Sequence, residues 1–243
     1  MVDARQAEEL RQGVNAVADL AVSDLRELFG SLNFDDLDAS RDLLLDLTPE
    51  LVARYGGLNG GLAAEWYGDV RPASGDGYTA APAVVASAER VQGSVRFAAG
   101  ELWNAPPKVL VVMEGMLRRL VLETARNTIV DGVANDPEGV GWQRQVRPNA
   151  CKFCRMLAGR GGVYRSEKSA AFAAHDHCHC VAVPTWDTSL PEVPVAAYRA
   201  SERLEKVRRR AADASNPTDQ RRAQSVLDWH RKTTRAYLRS MDD

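Results

Sequence analysis

The sequence predicts a mainly α fold: a helical N-terminal region, a small α+β module built around cysteine and histidine, and a helical C-terminal tail. Three observations lead there. Through residues 1–140, apolar side chains recur at spacings of three and four, the period of a helix with one buried face. From Gly141 the texture changes to short alternating stretches bounded by glycine. All four cysteines of the chain, and three of its four histidines, fall inside that second region. The predicted boundaries are 1–140 for the helical region, 141–190 for the module and 191–243 for the tail.

The first helix rests on Leu10, Val14, Val17, Ala21, Leu25 and Leu28, one apolar stripe that Gly30 can end. "Thr48-Pro49-Glu50" reads as the start of a second helix: Thr as cap, Pro in the first turn, an acid at the positive end. Four glycines in "LVARYGGLNGGLAAEWY" invite a loop. Leu51, Tyr55, Leu58, Leu62 and Trp66 nevertheless keep helical spacing, so one helix is predicted to about Val70. Each glycine weakens that helix by about 1 kcal/mol against Ala, and glycine also permits close approach of another helix.

"RPASGDGYTAAP", residues 71–82, is a polar connector. A third helix follows with Val84, Ala88, Val91, Val95 and Ala98 on one face. "NAPPK" marks a break and a restart. The run from Val109 to Val133 is predicted to be the most buried helix, with Val109, Met113, Met116, Leu120 and Ile129 on one side and Val112, Leu117 and Val121 widening it. In the module, "WQRQV", "GGVYR" and "CVAVP" read as strands, and "SEKSAAFAAH" as a short helix capped by Ser166. In the tail, "SNPTDQ" at Ser215–Gln220 separates two helical stretches.

The chain has 31 Lys/Arg against 33 Asp/Glu, a net charge of −2, so global charge selects no class of partner. Its distribution is uneven. Residues 1–70 hold 5 basic and 14 acidic side chains, and residues 197–243 hold 12 basic and 7 acidic. An acidic front and a basic tail suit contact with other charged surfaces. No apolar run approaches the roughly 20 residues needed to span a bilayer, so no membrane partner is expected. The N-terminus "MVDARQAEELRQ" lacks the pattern of a signal peptide, which places synthesis in a reducing cytoplasm. Clustered cysteines there read as metal ligands before disulfides.

Cys151-Lys152-Phe153-Cys154 is a C-x2-C knuckle that offers two thiolates from one tight turn. "AHDHCHC" supplies the other half, with His175, Cys178 and Cys180 as candidates and His177 and His179 behind them. The predicted metal ligands are Cys151, Cys154, His175, Cys178 and Cys180. Cys151 and Cys154 form the first pair. The second is either Cys178 with Cys180, or His175 with one of them. Zn2+ in a structural role fits this donor set. A module of about 45 residues builds little core, and a metal staple is the usual remedy. A disulfide, with Cys151–Cys154 as one pairing, is the alternative in an oxidising setting.

Catalytic zinc needs an open coordination position and a general base. The H-x-E of zinc deaminases and the H-E-x-x-H of metalloproteases are both absent. "HDH" leaves a metal-dependent nuclease as the rival reading, with Asp176 or His177 as base. A non-enzymatic chain is expected.

"ACKFCRMLAGRGGVYRS" followed by "HDHCHCVAVPTW" resembles the C-terminal module of MuF-like minor head proteins of bacteriophages. The helical segment "LVARYGGLNGGLAAEWYGDVR" resembles their actinobacteriophage branch. The resemblance covers about Ala4 to Thr188 and weakens after Pro194. It implies a minor capsid protein acting in head morphogenesis, associated with the portal protein or the major capsid protein and with DNA packaging or ejection. It implies a place in the virion, in the capsid interior or at the portal vertex. Cys151, Cys154, His175, Cys178 and Cys180 match the family's motif, whereas His179 stands where arginine or another polar residue often sits. Some relatives are fused to a maturation protease; no protease motif is found here. Arg208, Arg209, Arg210, Arg221, Arg222, Arg231, Lys232, Arg235 and Arg239 can touch packaged DNA phosphates. Without interleaved aromatics, a solvated helical face is the plainer reading of those charges.

Overall fold

The computed structural model describes residues 2–73, 77–159, 163–165, 172 and 174–192, and in the tail 207, 209–212, 215, 217–218, 220–221, 223–225 and 227–228. Met1–Pro194 form one compact unit and Val195–Asp243 a second. The first contains helices α1 (Ala4–Gly30), α2 (Leu37–Val70), α3 (Ala88–Ala99) and α4 (Pro106–Asn135), then strand β1 (Gly141–Gln145), helix α5 (Lys152–Ala158) and strand β2 (Val181–Thr185). The fold is mainly helical with a small α+β module, as the sequence predicts.

Helix α1 starts with a capping box. The Asp3 side chain accepts from the Gln6 N–H at 2.7 Å, and Gln6 Oε1 accepts from the Asp3 N–H at 3.0 Å. Leu10, Val14, Ala18, Ala21 and Leu25 are buried along one face.

Helix α2 corrects the sequence reading. It begins after Asp36, whose side chain caps the Ala39 N–H at 3.0 Å, and Thr48-Pro49 lies inside it. The reason is packing. Ser40, Leu44, Thr48, Val52, Tyr55, Asn59, Ala63 and Tyr67 form one unbroken buried stripe, and that burial carries the helix through a proline that costs about 3 kcal/mol. Pro49 has no N–H for the Leu45 carbonyl; the Gln92 side-chain amide, from α3, donates to that oxygen instead at 3.4 Å. Gly56 and Gly60 sit where a Cβ would come within 3.0 Å of Val85 and Thr124 respectively, so these two glycines let α4 and the connector approach. Asn59, fully buried, donates to the carbonyls of Val14 (3.2 Å) and Val121 (3.3 Å), which pins α1, α2 and α4 together.

The third helix is shorter than predicted. Ser87 caps it, and Val84 lies before it, 91% exposed. The connector is instead tied to α4, by the Ala83 N–H to Thr128 Oγ1 (2.9 Å) and the Tyr78 hydroxyl to the Gly132 carbonyl (2.9 Å). Helix α4 is buried on nearly every side, although Val112 is exposed rather than part of its core face. Pro106 occupies its first position, where no N–H is missed.

Asp136 ends α4 and joins three segments. It accepts from Tyr67 (2.9 Å), from Arg71 (2.8 and 2.7 Å) and from the Trp186 indole (3.1 Å). Burial alone would push its carboxyl up; Arg71 and the other donors outweigh that and hold it below the usual carboxylate range.

Strands β1 and β2 pair antiparallel, with Gly141 opposite Thr185 and Gln145 opposite Val181. "GGVYR" contributes only single bridges, Tyr164 to Trp142 and Val163 to Glu192. Trp142, Tyr164, Val181 and Ala182 join the main core with the helices. The Ser166 helix lies outside the described residues. Within the second unit the described residues include helical positions 209–212 and 223–225, with a turn at Ser215. Most of the basic side chains named above lie outside the described residues. Among the described residues, no helix is long and apolar enough to cross a membrane.

Candidate metal centre

Each half of the centre is shaped by its own backbone. Cys151 caps α5, its Sγ 3.4 Å from the Cys154 N–H, so both thiols emerge from one turn. On the other side, the Cys178 N–H returns to the His175 carbonyl at 3.2 Å. That tight turn needs a left-handed residue, and His177 takes it with φ 61°. Cys178 and Cys180 follow, both buried.

The five predicted side chains come together as two triads that share Cys154. One is Cys151, Cys154 and His175; the other is Cys154, Cys178 and Cys180; within each, the donor atoms lie within 4.8 Å of one another. His175 Nε2 is 3.0 Å from Cys151 Sγ and 3.6 Å from Cys154 Sγ. Cys154 Sγ is 3.7 Å from Cys178 Sγ. Ligands at about 2.3 Å on a tetrahedron are separated by about 3.7 Å, so the last two distances are near such an edge. All four cysteines are free thiols. The side chains are close enough to hold a metal ion.

The histidines divide three ways. His175 Nδ1 lies 2.6 Å from the Asp176 carbonyl, which can only accept; Nδ1 therefore carries a proton, and Nε2 is the atom that faces the thiols. His177 is turned onto α4, where any Cβ on Gly115 would come 2.7 Å from its Nε2. Beside it, Asp176 accepts from Arg119 at 2.8 Å. His179 points to α1, with Nδ1 2.7 Å from Asn15 Oδ1, while Asn15 Nδ2 donates to the His179 carbonyl at 3.3 Å. Burial and the charges of Arg118 and Arg147 push His179 down to about 4, so it is neutral at pH 7.

The thiols do not share one protonation state. Burial pushes Cys151 up, but the Cys154 N–H and His175 outweigh it and bring the thiol down. Hydrogen bonds from Cys154 and Cys180, and then the charge of Arg126, bring Cys178 down. Cys154 is pushed up by its bonding to Cys178 and Cys180 and by burial. Thiols this close cannot all ionise on their own; a divalent cation removes that restriction.

Arg126 was not visible as a site residue in the sequence. It sits in α4, 2% exposed, and donates from Nε to the Cys180 carbonyl and from Nη2 to the Cys178 carbonyl, both at 2.9 Å. Its Nη1 is buried with no hydrogen-bond partner among the described residues. Phe172 lies between two cations, its ring centre 4.9 Å from Arg126 and 3.7 Å from Arg144. A buried guanidinium stays charged and calls for nearby negative charge. The lowered Cys178 thiol supplies part of it, and a complex of three or four thiolates with a divalent ion, which is anionic, supplies more. The donor set and its surroundings thus fit a thiolate-bound metal. The one sequence signal for Arg126 was a lone arginine on the buried side of "VLETARNTIV".

These features define a class: a mainly helical protein whose Cys/His centre is fastened to its most buried helix. The chain belongs to the VG15 protein family, a phage-related family whose model matches residues 1–205, the whole centre included. No curated protein and no solved structure matches the chain.

Proposed function

We propose that the chain is a minor structural protein of a phage head, with Zn2+ as a structural staple in the Cys151, Cys154, His175, Cys178 and Cys180 centre. Its place is the virion, in the capsid interior or at the portal vertex. Its role is capsid assembly and DNA packaging or ejection, through contact with the portal protein or the major capsid protein. The basic tail reaches packaged DNA. The observation that carries this reading is a phage-related family match spanning a centre that ties the β1–β2 pair to α4.

A structural metal is favoured over a catalytic one because three of the five donors are buried. The side chains a nuclease would use as base, Asp176 and His177, are turned toward Arg119 and Gly115. The staple is tested by metal analysis of the purified, reduced chain: near-stoichiometric zinc is expected, and its absence overturns that half. The partner half is tested by co-purification with portal and with major capsid protein under assembly conditions; failure with both overturns it. Metal-dependent DNA cleavage lost in His177→Ala would establish the nuclease reading instead.

A further inference from the structure

Two of the four glycines in the middle of α2 are explained inside the chain, since Gly56 and Gly60 admit their neighbours. The other two are not. A Cβ at Gly57 or Gly61 would meet nothing within 4 Å. Each still costs the helix about 1 kcal/mol against Ala. They lie on the outer side of α2, in a groove of about 870 Å³ lined by Val17, Arg54, Leu58, Leu62 and Glu65. Leu58 is 55% exposed there, and Leu20 on the neighbouring α1 is 58% exposed.

The order of residues along this face has a particular symmetry. Arg54, Leu58, Gly61 and Glu65 follow one another at spacings of four, three and four, so they form one stripe. The stripe is its own complement when reversed. If a second α2 lies antiparallel across a two-fold axis between Asn59 and Gly60, Arg54 faces Glu65 of the second copy and Leu58 faces its Gly61. Leu62 meets its Gly57 alongside. Each leucine then fills the space a glycine leaves, and both charges at the rim are paired. Within one chain Arg54 and Glu65 are separated by about three helical turns and cannot meet. Arg54 lies over the Tyr55 ring, 5.2 Å from its centre, and its ion-pair partner among the described residues is Asp24, at 3.9 Å; Glu65 forms no ion pair among the described residues.

We propose that this stripe is a two-fold interface between two copies of the chain, α2 against α2, with Gly57 and Gly61 as the holes and Arg54 and Glu65 as the clasps. The contact is isologous, so it closes at two copies. It is short, which places it in the small, weak class of interfaces whose occupancy depends on concentration.

Sedimentation of the full chain over a concentration series tests it. The wild type is expected to show a reversible monomer–dimer equilibrium. Arg54→Glu and Glu65→Arg each set two like charges opposite each other twice per dimer, and each should weaken association at least about tenfold. The double variant R54E/E65R restores opposite signs and should return association to near the wild-type level. Gly61→Ala is expected to weaken the dimer while leaving the thermal midpoint of the monomer unchanged or higher, because nothing inside the chain occupies that space. A wild type that stays monomeric throughout, single variants that dimerise normally, or a double variant that fails to recover would each overturn the proposal.

Discussion

Where α1, α2 and α4 meet, the interior is apolar and continuous, and the one buried amide at its centre, Asn59, spends both of its side-chain donors on carbonyls of neighbouring helices. Where α5 meets the approach to β2, the second cluster has, among the described residues, only Ala150, Cys154, Cys178 and Cys180 as its buried members. The first region closes by area. The second has too little area and closes by bonds: a cysteine knuckle, an oriented imidazole, and Arg126 on two carbonyls. The difference teaches where each region should fail. The helices should tolerate loss of any single polar contact, and the module should collapse when one donor is removed.

The largest effect is expected from the metal. Structural zinc contributes on the order of 10 kcal/mol in small domains, so chelation, or Cys154→Ser, should release the module while the helices persist. Hydrogen exchange should show β1 and β2 losing protection and α2 keeping it. Equal loss in both regions would break the comparison.

Next is Arg126→Met. In the metal-loaded protein it should cost about 3–5 kcal/mol in denaturant unfolding, since it strips an anionic centre of its buried counter-charge. In the chelated protein the same change should cost less, because fewer of the surrounding thiols are then ionised. The same cost in both states would show that Arg126 acts through its carbonyl bonds alone.

Asp136 sits at the joint between the two regions and gives a pH test. Its folded-state pKa is depressed, so its contribution is present above the unfolded value of about 3.9 and is lost as pH falls through the folded value. Thermal midpoints should fall on acidification below about pH 4–5, and Asp136→Asn should flatten that part of the profile. The smallest effect belongs to the helices. Gln92→Ala should cost about 1 kcal/mol by orphaning the Leu45 carbonyl. In a Pro49→Ala background, which restores an N–H to that carbonyl, the same substitution should cost almost nothing.

Much of this was legible in the sequence because it depends on period or spacing. The α1 stripe, the buried run in α4, the strands at "WQRQV" and "CVAVP", and the five-residue constellation all came from local pattern. The start of α2 did not. Thr48-Pro49 has the chemistry of a helix start, and only the burial of Leu44 and Val52 on the same face explains why the chain ignores it. Val84 fits a helical period but precedes the Ser87 cap, and a period cannot see a cap three residues on. The division of labour among His175, His177 and His179 rests on one left-handed residue and on partners in α1 and α4. Arg126 was hidden for a similar reason: the carbonyls it donates to, of Cys178 and Cys180, lie more than 50 positions away.

The Asn15–His179 contact has a consequence in time. Its two ends are 164 residues apart, so at roughly 5–20 residues per second α1 is made about 8–33 s before its partner leaves the ribosome. During that interval the face of α1 around Asn15 has neither its cover nor the hydrogen bonds between Asn15 and His179. A chain stopped before residue 179 lacks this contact, so the face of α1 around Asn15 is covered only once the last segment of the module has been made.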